Sequence, residues 1–80
     1  MKEVKININD INKAKEFCRL SENSTCTSID LKSGRYVVDA RSLLGIFSLD
    51  LSKELVCIIN GFEEEEDKFE KSLKEANLLV

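Results

Sequence analysis

Five consecutive apolar residues, Leu55-Val56-Cys57-Ile58-Ile59, lie between Lys53-Glu54 and Asn60-Gly61 and set the tightest constraint on what this chain can fold into. So short and unbroken a run, closed by a turn pair, suits a central β-strand covered on at least one face. Such a strand needs neighbours on both sides. Val4, Ile6 and Ile8 alternate with Lys5 and Asn7 and predict a strand over 2–8. Thr27, Ile29 and Leu31 also alternate, Ser33-Gly34 supplies a turn, and Tyr36-Val37-Val38 begins another extended run, together a β-hairpin.

Helical spacing fills the intervals. Asn9 and Asp10 are capping side chains ahead of Ile11, Ala14, Phe17 and Cys18, which predict a helix over 11–20. Ser42 precedes a dense cluster of Leu43, Leu44, Ile46, Phe47 and Leu49, which predicts a short, largely buried helix over 42–50. A last helix is expected over 63–77. Its acidic opening, Glu63 to Asp67, complements the helix dipole, and Glu64/Lys68, Asp67/Lys71 and Glu70/Lys74 stand at i,i+4 spacing. Phe62, Phe69, Leu73 and Ala76 mark its apolar stripe.

The order β-α-β-β-α-β-α in 80 residues predicts one α+β domain over 1–80. Helices with one apolar stripe and strands with one apolar face bury both by laying all three helices on one face of a four-stranded sheet, an open-faced sandwich.

Composition excludes several function classes. A net charge of −3 with scattered Lys and Arg argues against nucleic acid or anionic lipid as partner. The first residues alternate where a signal peptide would be continuously apolar, and no run could span a bilayer, so a cytoplasmic protein is expected. Cys18, Cys26 and Cys57 have no C-x-x-C spacing and read as small apolar side chains, with no histidine in the chain to activate a thiol. Gly34, Gly45 and Gly61 lie too far apart for a phosphate loop, so no cofactor is expected. The carboxylates of Glu63–Asp67 are contiguous, unlike the spaced ligands of a calcium loop, and read as a solvated helix start with no metal.

Residues 41–49, RSLLGIFSL, resemble the segment of histidine-containing phosphocarrier protein (HPr) that bears its regulatory serine, whose pattern runs roughly K-S-I-M-G-x-M-S-L-G. The strand-turn-strand SIDLKSGRYVVDA before it, LVCIING after it, an acidic group and a final amphipathic helix extend the resemblance over the chain. It implies an HPr-like open-faced β-sandwich with an antiparallel sheet. HPr proteins relay phosphate through a histidine in a G-x-H-A-R-P-A motif, and that motif is absent. Counted back from Ser42 without gaps, Ile11 stands at the histidine position, Lys13 at the arginine and Ala14 at the proline.

Reversible relay of this kind needs an imidazole nitrogen that takes up phosphate and gives it away again. Without one, the expectation is a protein with no catalytic residues, not an enzyme, read by other proteins. The resemblance makes Ser42 a candidate phosphorylation site, with HPr kinase and a transcription regulator of carbon catabolite control as implied partners. Plain helix N-capping by itself accounts for Ser42 and is the reading the residues favour. Lys13, Arg41, Leu43, Leu44 and Phe47 are the candidate partner-binding residues, an apolar patch rimmed by cations. The alternative is a stand-alone structural or vestigial HPr-like domain with an unrelated protein partner. The sequence leaves the oligomeric state open.

Overall fold

A computed structural model describes all 80 residues. Its elements are β1 (Lys2–Ile6), α1 (Ile11–Glu22), β2 (Ser28–Ser33), β3 (Tyr36–Asp39), α2 (Leu43–Phe47), β4 (Leu55–Asn60) and α3 (Glu63–Glu75), the expected order. The sheet runs β1-β4-β2-β3 with every neighbouring pair antiparallel. The apolar run is indeed the inner strand β4: Leu55, Cys57 and Ile59 are buried against the helices, while Val56 and Ile58 are half-buried on the open face. Lys5 and Lys32 stand opposite Val56 on the two flanking strands, where their aliphatic stems shield it. The β2–β3 connection is a two-residue turn in which Gly34 adopts φ +58°, the left-handed conformation of a first central position in a type II′ hairpin.

One core of 17 buried residues links the layers. From α1 it takes Ala14, Phe17 and Cys18, and from α3 Phe69 and Leu73. Phe17 meets Phe69 edge-on, ring centroids 6.4 Å apart at 63°. Ser21 is fully buried among them, and its hydroxyl is satisfied by donating to the Phe17 carbonyl (2.9 Å).

Several boundaries depart from expectation. Strand β1 stops at Ile6, although Ile8 is also buried, because the chain turns inward and Asn7 N–H donates to the Leu78 carbonyl (2.9 Å). Helix α1 runs two residues past the predicted end, to Glu22. Helix α3 ends at Glu75 rather than 77. Asn77 takes φ +59°, Leu78 N–H bonds the Leu73 carbonyl and Asn77 N–H the Lys74 carbonyl, a Schellman closure whose apolar partners, Leu73 and Leu78, are both buried.

The charge pattern of α3 also works differently from its i,i+4 spacing. Asp67 and Glu70 pair with Lys2 of β1 instead of with Lys71 and Lys74. Phe62 is no part of the apolar stripe: it is the N-cap and 81% exposed. Its side chain cannot accept a hydrogen bond, so carboxylates reach back in its place. Glu65 accepts from Phe62 N–H and Glu66 from Gly61 N–H, both at 3.0 Å.

Glu66 is 5% exposed and also meets the Met1 amino group at 3.0 Å. That ammonium, and then the Gly61 N–H, hold its carboxyl below the usual range against the opposing effect of burial. A depressed carboxyl stabilises the fold fully above its ordinary pKa and loses that contribution as pH falls through the folded value. Glu66→Gln is therefore expected to lower the urea midpoint at neutral pH, with the deficit starting to shrink only as pH falls past about 4.5, the ordinary value, and closing below the lower folded one. An equal deficit at every pH would refute the assignment.

Candidate functional site

The expected site lies on α1 and α2, which pack against each other. Asp10 caps α1, its carboxylate accepting from Lys13 N–H at 2.8 Å. This local bond explains why the helix begins at Ile11, whose side chain is left 61% exposed at the first helical position. Lys13 follows, half-buried and with no ion pair.

The approach to α2 is a tight turn, with Asp39 Oδ1 accepting from Arg41 N–H (2.8 Å) and the Asp39 carbonyl from Ser42 N–H (3.0 Å). Ser42 is the N-cap, outside the helix, and accepts from Gly45 N–H at 3.1 Å. Its hydroxyl proton has no acceptor, whereas Ser48 Oγ donates to the Gly45 carbonyl at 2.6 Å. Gly45 is the close-approach point of this helix: a Cβ there would lie 3.2 Å from both Ser42 Oγ and Val38 Cβ.

The expectation of a largely buried helix over 42–50 is corrected. The helix is five residues long and only Ile46 within it is buried. Leu43 is half-buried, Leu44 is 85% exposed and Phe47 40% exposed. So short a helix buries Ile46 alone and packs Leu43 partly against the core, with Leu49 buried just beyond it, while Leu44 and Phe47 lie on its solvent side.

Arg41 differs most from its predicted place. The sequence predicts it at the cationic rim of the apolar patch. Its guanidinium instead donates to three carbonyls where α1 ends: Ser21 (2.9 Å), Ser24 (3.3 Å) and Cys26 (2.9 Å). Ser21 lies in the last turn of α1 and also accepts from Ser24 N–H (3.3 Å), while Ser24 and Cys26 lie just beyond it, so the guanidinium ties the helix end to the chain that leaves it and complements the dipole. This anchoring role was hidden from the sequence because its partners are backbone oxygens 15 to 20 positions away.

The thiols are poorly suited to nucleophilic work. Burial, reinforced by the Glu22 carboxylate that accepts from Sγ at 3.4 Å, pushes Cys18 up to about 11. Burial pushes Cys57 up to about 12. Cys26 is buried, its Sγ donating to the Glu65 carbonyl at 3.4 Å. No three His, Cys, Asp or Glu side chains converge as a metal site, and no helix is long and apolar enough to cross a membrane.

No family model matches the chain, and no curated protein matches it. Among solved structures it is similar to the crystal structure of HPr-C-His from Thermoanaerobacter tengcongensis, with a TM-score of 0.75 and 28% identity over 96% of this chain and 94% of that one. The fold is HPr-like: the four-stranded antiparallel open sheet, the three helices and their order agree.

Proposed function

We propose that this chain is a non-catalytic HPr-like regulatory protein, unable to relay phosphate, that is phosphorylated at Ser42 and bound at α2 by a regulator of carbon catabolite control. One observation carries the reading: an HPr-like fold whose sequence contains no histidine, with an exposed isoleucine, Ile11, at the first position of α1. An alkyl side chain can neither attack a phosphoryl donor nor hold the product, so what the scaffold offers a partner is surface.

The geometry of α2 supports the second half. The Ser42 hydroxyl is exposed, with its proton uncommitted, and Leu44 and Phe47 present apolar area to solvent in the same short helix. Adding phosphate there would bring a dianion and strong acceptors to a surface that is otherwise apolar, enough to switch recognition between two partners. Lys13, on the helix that packs against α2 and without an ion pair, is the candidate cation left to the site, because Arg41 is engaged elsewhere.

Intact-mass measurement tests this directly. Incubation with ATP and HPr serine kinase is expected to add one acid-stable phosphate. Ser42→Ala should abolish it, and Ser48→Ala should not. Incubation with phosphoenolpyruvate and the first enzyme of the relay is expected to add nothing, and an acid-labile phosphate would overturn the non-catalytic reading.

The second reading, a stand-alone HPr-like domain serving an unrelated protein, draws on the cap itself. The Ser42–Gly45 bond accounts for a serine at this position at about 1 kcal/mol without any modification. A kinase reaction that leaves the mass unchanged would favour it.

A further inference from the structure

The two edges of the sheet are treated differently. The free side of β1 is occupied by the chain's last residues: Ile6 forms a bridge with Leu79, Val80 N–H donates to the Lys5 carbonyl (3.0 Å) and Asn7 N–H to that of Leu78 (2.9 Å). Nothing covers β3. Antiparallel pairing alternates hydrogen-bonded and non-hydrogen-bonded pairs. Ala40 N–H bonds the Ile29 carbonyl, so Val38 and Tyr36 also face β2, while the backbone groups of Val37 and the N–H of Asp39 point to the open edge.

That edge is self-complementary. It reads Arg35-Tyr36-Val37-Val38-Asp39, and Tyr36 and Val37 are 75% and 54% exposed. Laid antiparallel to itself about Val37, it sets Val37 against Val37, Tyr36 against Val38, and Arg35 against Asp39 at both ends. The Arg35 side chain is exposed and forms no ion pair within the chain. Asp39 uses Oδ1 on Arg41 N–H and keeps its other oxygen free.

We propose that β3 pairs with β3 of a second copy, giving a two-fold dimer with one continuous eight-stranded sheet. The two Val37 residues exchange a pair of backbone bonds at the axis. Asp39 N–H of each copy donates to the Arg35 carbonyl of the other, and the Arg35–Asp39 charges close both ends. A two-fold interface of this kind needs a patch complementary to itself, and this segment carries opposite charges at equal distances from its centre. So short an edge buries far less than the roughly 800 Å² per partner of a standard interface, so the dimer is weak, forming between micromolar and millimolar concentration.

Sedimentation equilibrium over that range, on the full chain, tests it. The wild type is expected to show a reversible monomer–dimer equilibrium, with Val37 N–H exchanging more slowly as concentration rises. Arg35→Glu sets Glu against Asp39, and Asp39→Lys sets Lys against Arg35. Each variant alone should raise Kd about tenfold or more, and an equimolar mixture should recover the association as a heterodimer, since every facing pair is again opposite in charge. Far-ultraviolet circular dichroism verifies that both remain folded. A wild type that stays monomeric throughout, or an association that Arg35→Glu leaves untouched, overturns the proposal.

Discussion

Phe17→Ala is expected to remove about 4 kcal/mol of unfolding free energy, the cost of deleting a large aromatic side chain from a core that cannot collapse around the hole. Phe17 has no exposed surface and its ring meets Phe69 edge-on, so the substitution removes burial and an aromatic pair together. A domain of this size has a net stability of roughly 4–12 kcal/mol, so the loss is a large part of the whole. Phe17→Leu keeps most of the volume and should cost about 1.5 kcal/mol or less. Urea denaturation with an unchanged m-value reads both. A loss below about 1.5 kcal/mol for Phe17→Ala would mean that α1 and α3 are not joined through this residue.

The second large effect belongs to a surface cation. Arg41→Met should cost about 2 kcal/mol, because it removes the charged donor from three part-buried carbonyls where α1 ends, of which only that of Ser21 keeps another donor, Ser24 N–H. Arg41→Lys should recover less than half of this, since one ammonium nitrogen cannot span acceptors that the planar fork reaches through two. If Arg41 acted only through a partner, both variants would match the parent in urea midpoint and differ only in binding. The measurement therefore separates an anchoring role from a recognition role.

The strand pattern was legible because it depends on neighbours in sequence. The alternation in Val4 to Ile6 and in Ile29 to Leu31 gave their inward faces, and the unbroken run of β4 gave its inner position. The same logic failed at α2. Five residues cannot show a helical period, so apolar density was read as burial when the helix in fact leaves Leu44 and Phe47 in solvent. At α3, Phe62 sat at a spacing that fits the stripe, but a residue before the first turn has no helical direction, and Glu66 took the buried position.

Contacts made across long stretches of chain were the other blind spot. Asp67 and Glu70 had local lysines at helical spacing and bonded Lys2, more than 60 positions away, because β1 runs beside α3. Arg41 was judged by its neighbour Ser42, while its guanidinium was spent on carbonyls that no side-chain pattern reveals. Of the site, then, only the capping role of Ser42 follows from its local setting; Ile11, Leu44 and Phe47 fit apolar patterns that suggest burial and yet stand exposed, and Arg41 has partners too distant in sequence to read.

The strand order bears on how the chain matures. β2 and β3 are joined by a two-residue turn and can pair as soon as both exist, whereas β1 has a single strand partner, β4, made some fifty residues later. A nascent chain that has just passed α2 thus contains both strands of one hairpin, marginal on its own, and a first strand without its partner. It can complete its sheet only after the ribosome has released the segment that becomes the middle, so the folding transition state should depend on β4 far more than on the strand that is synthesised first.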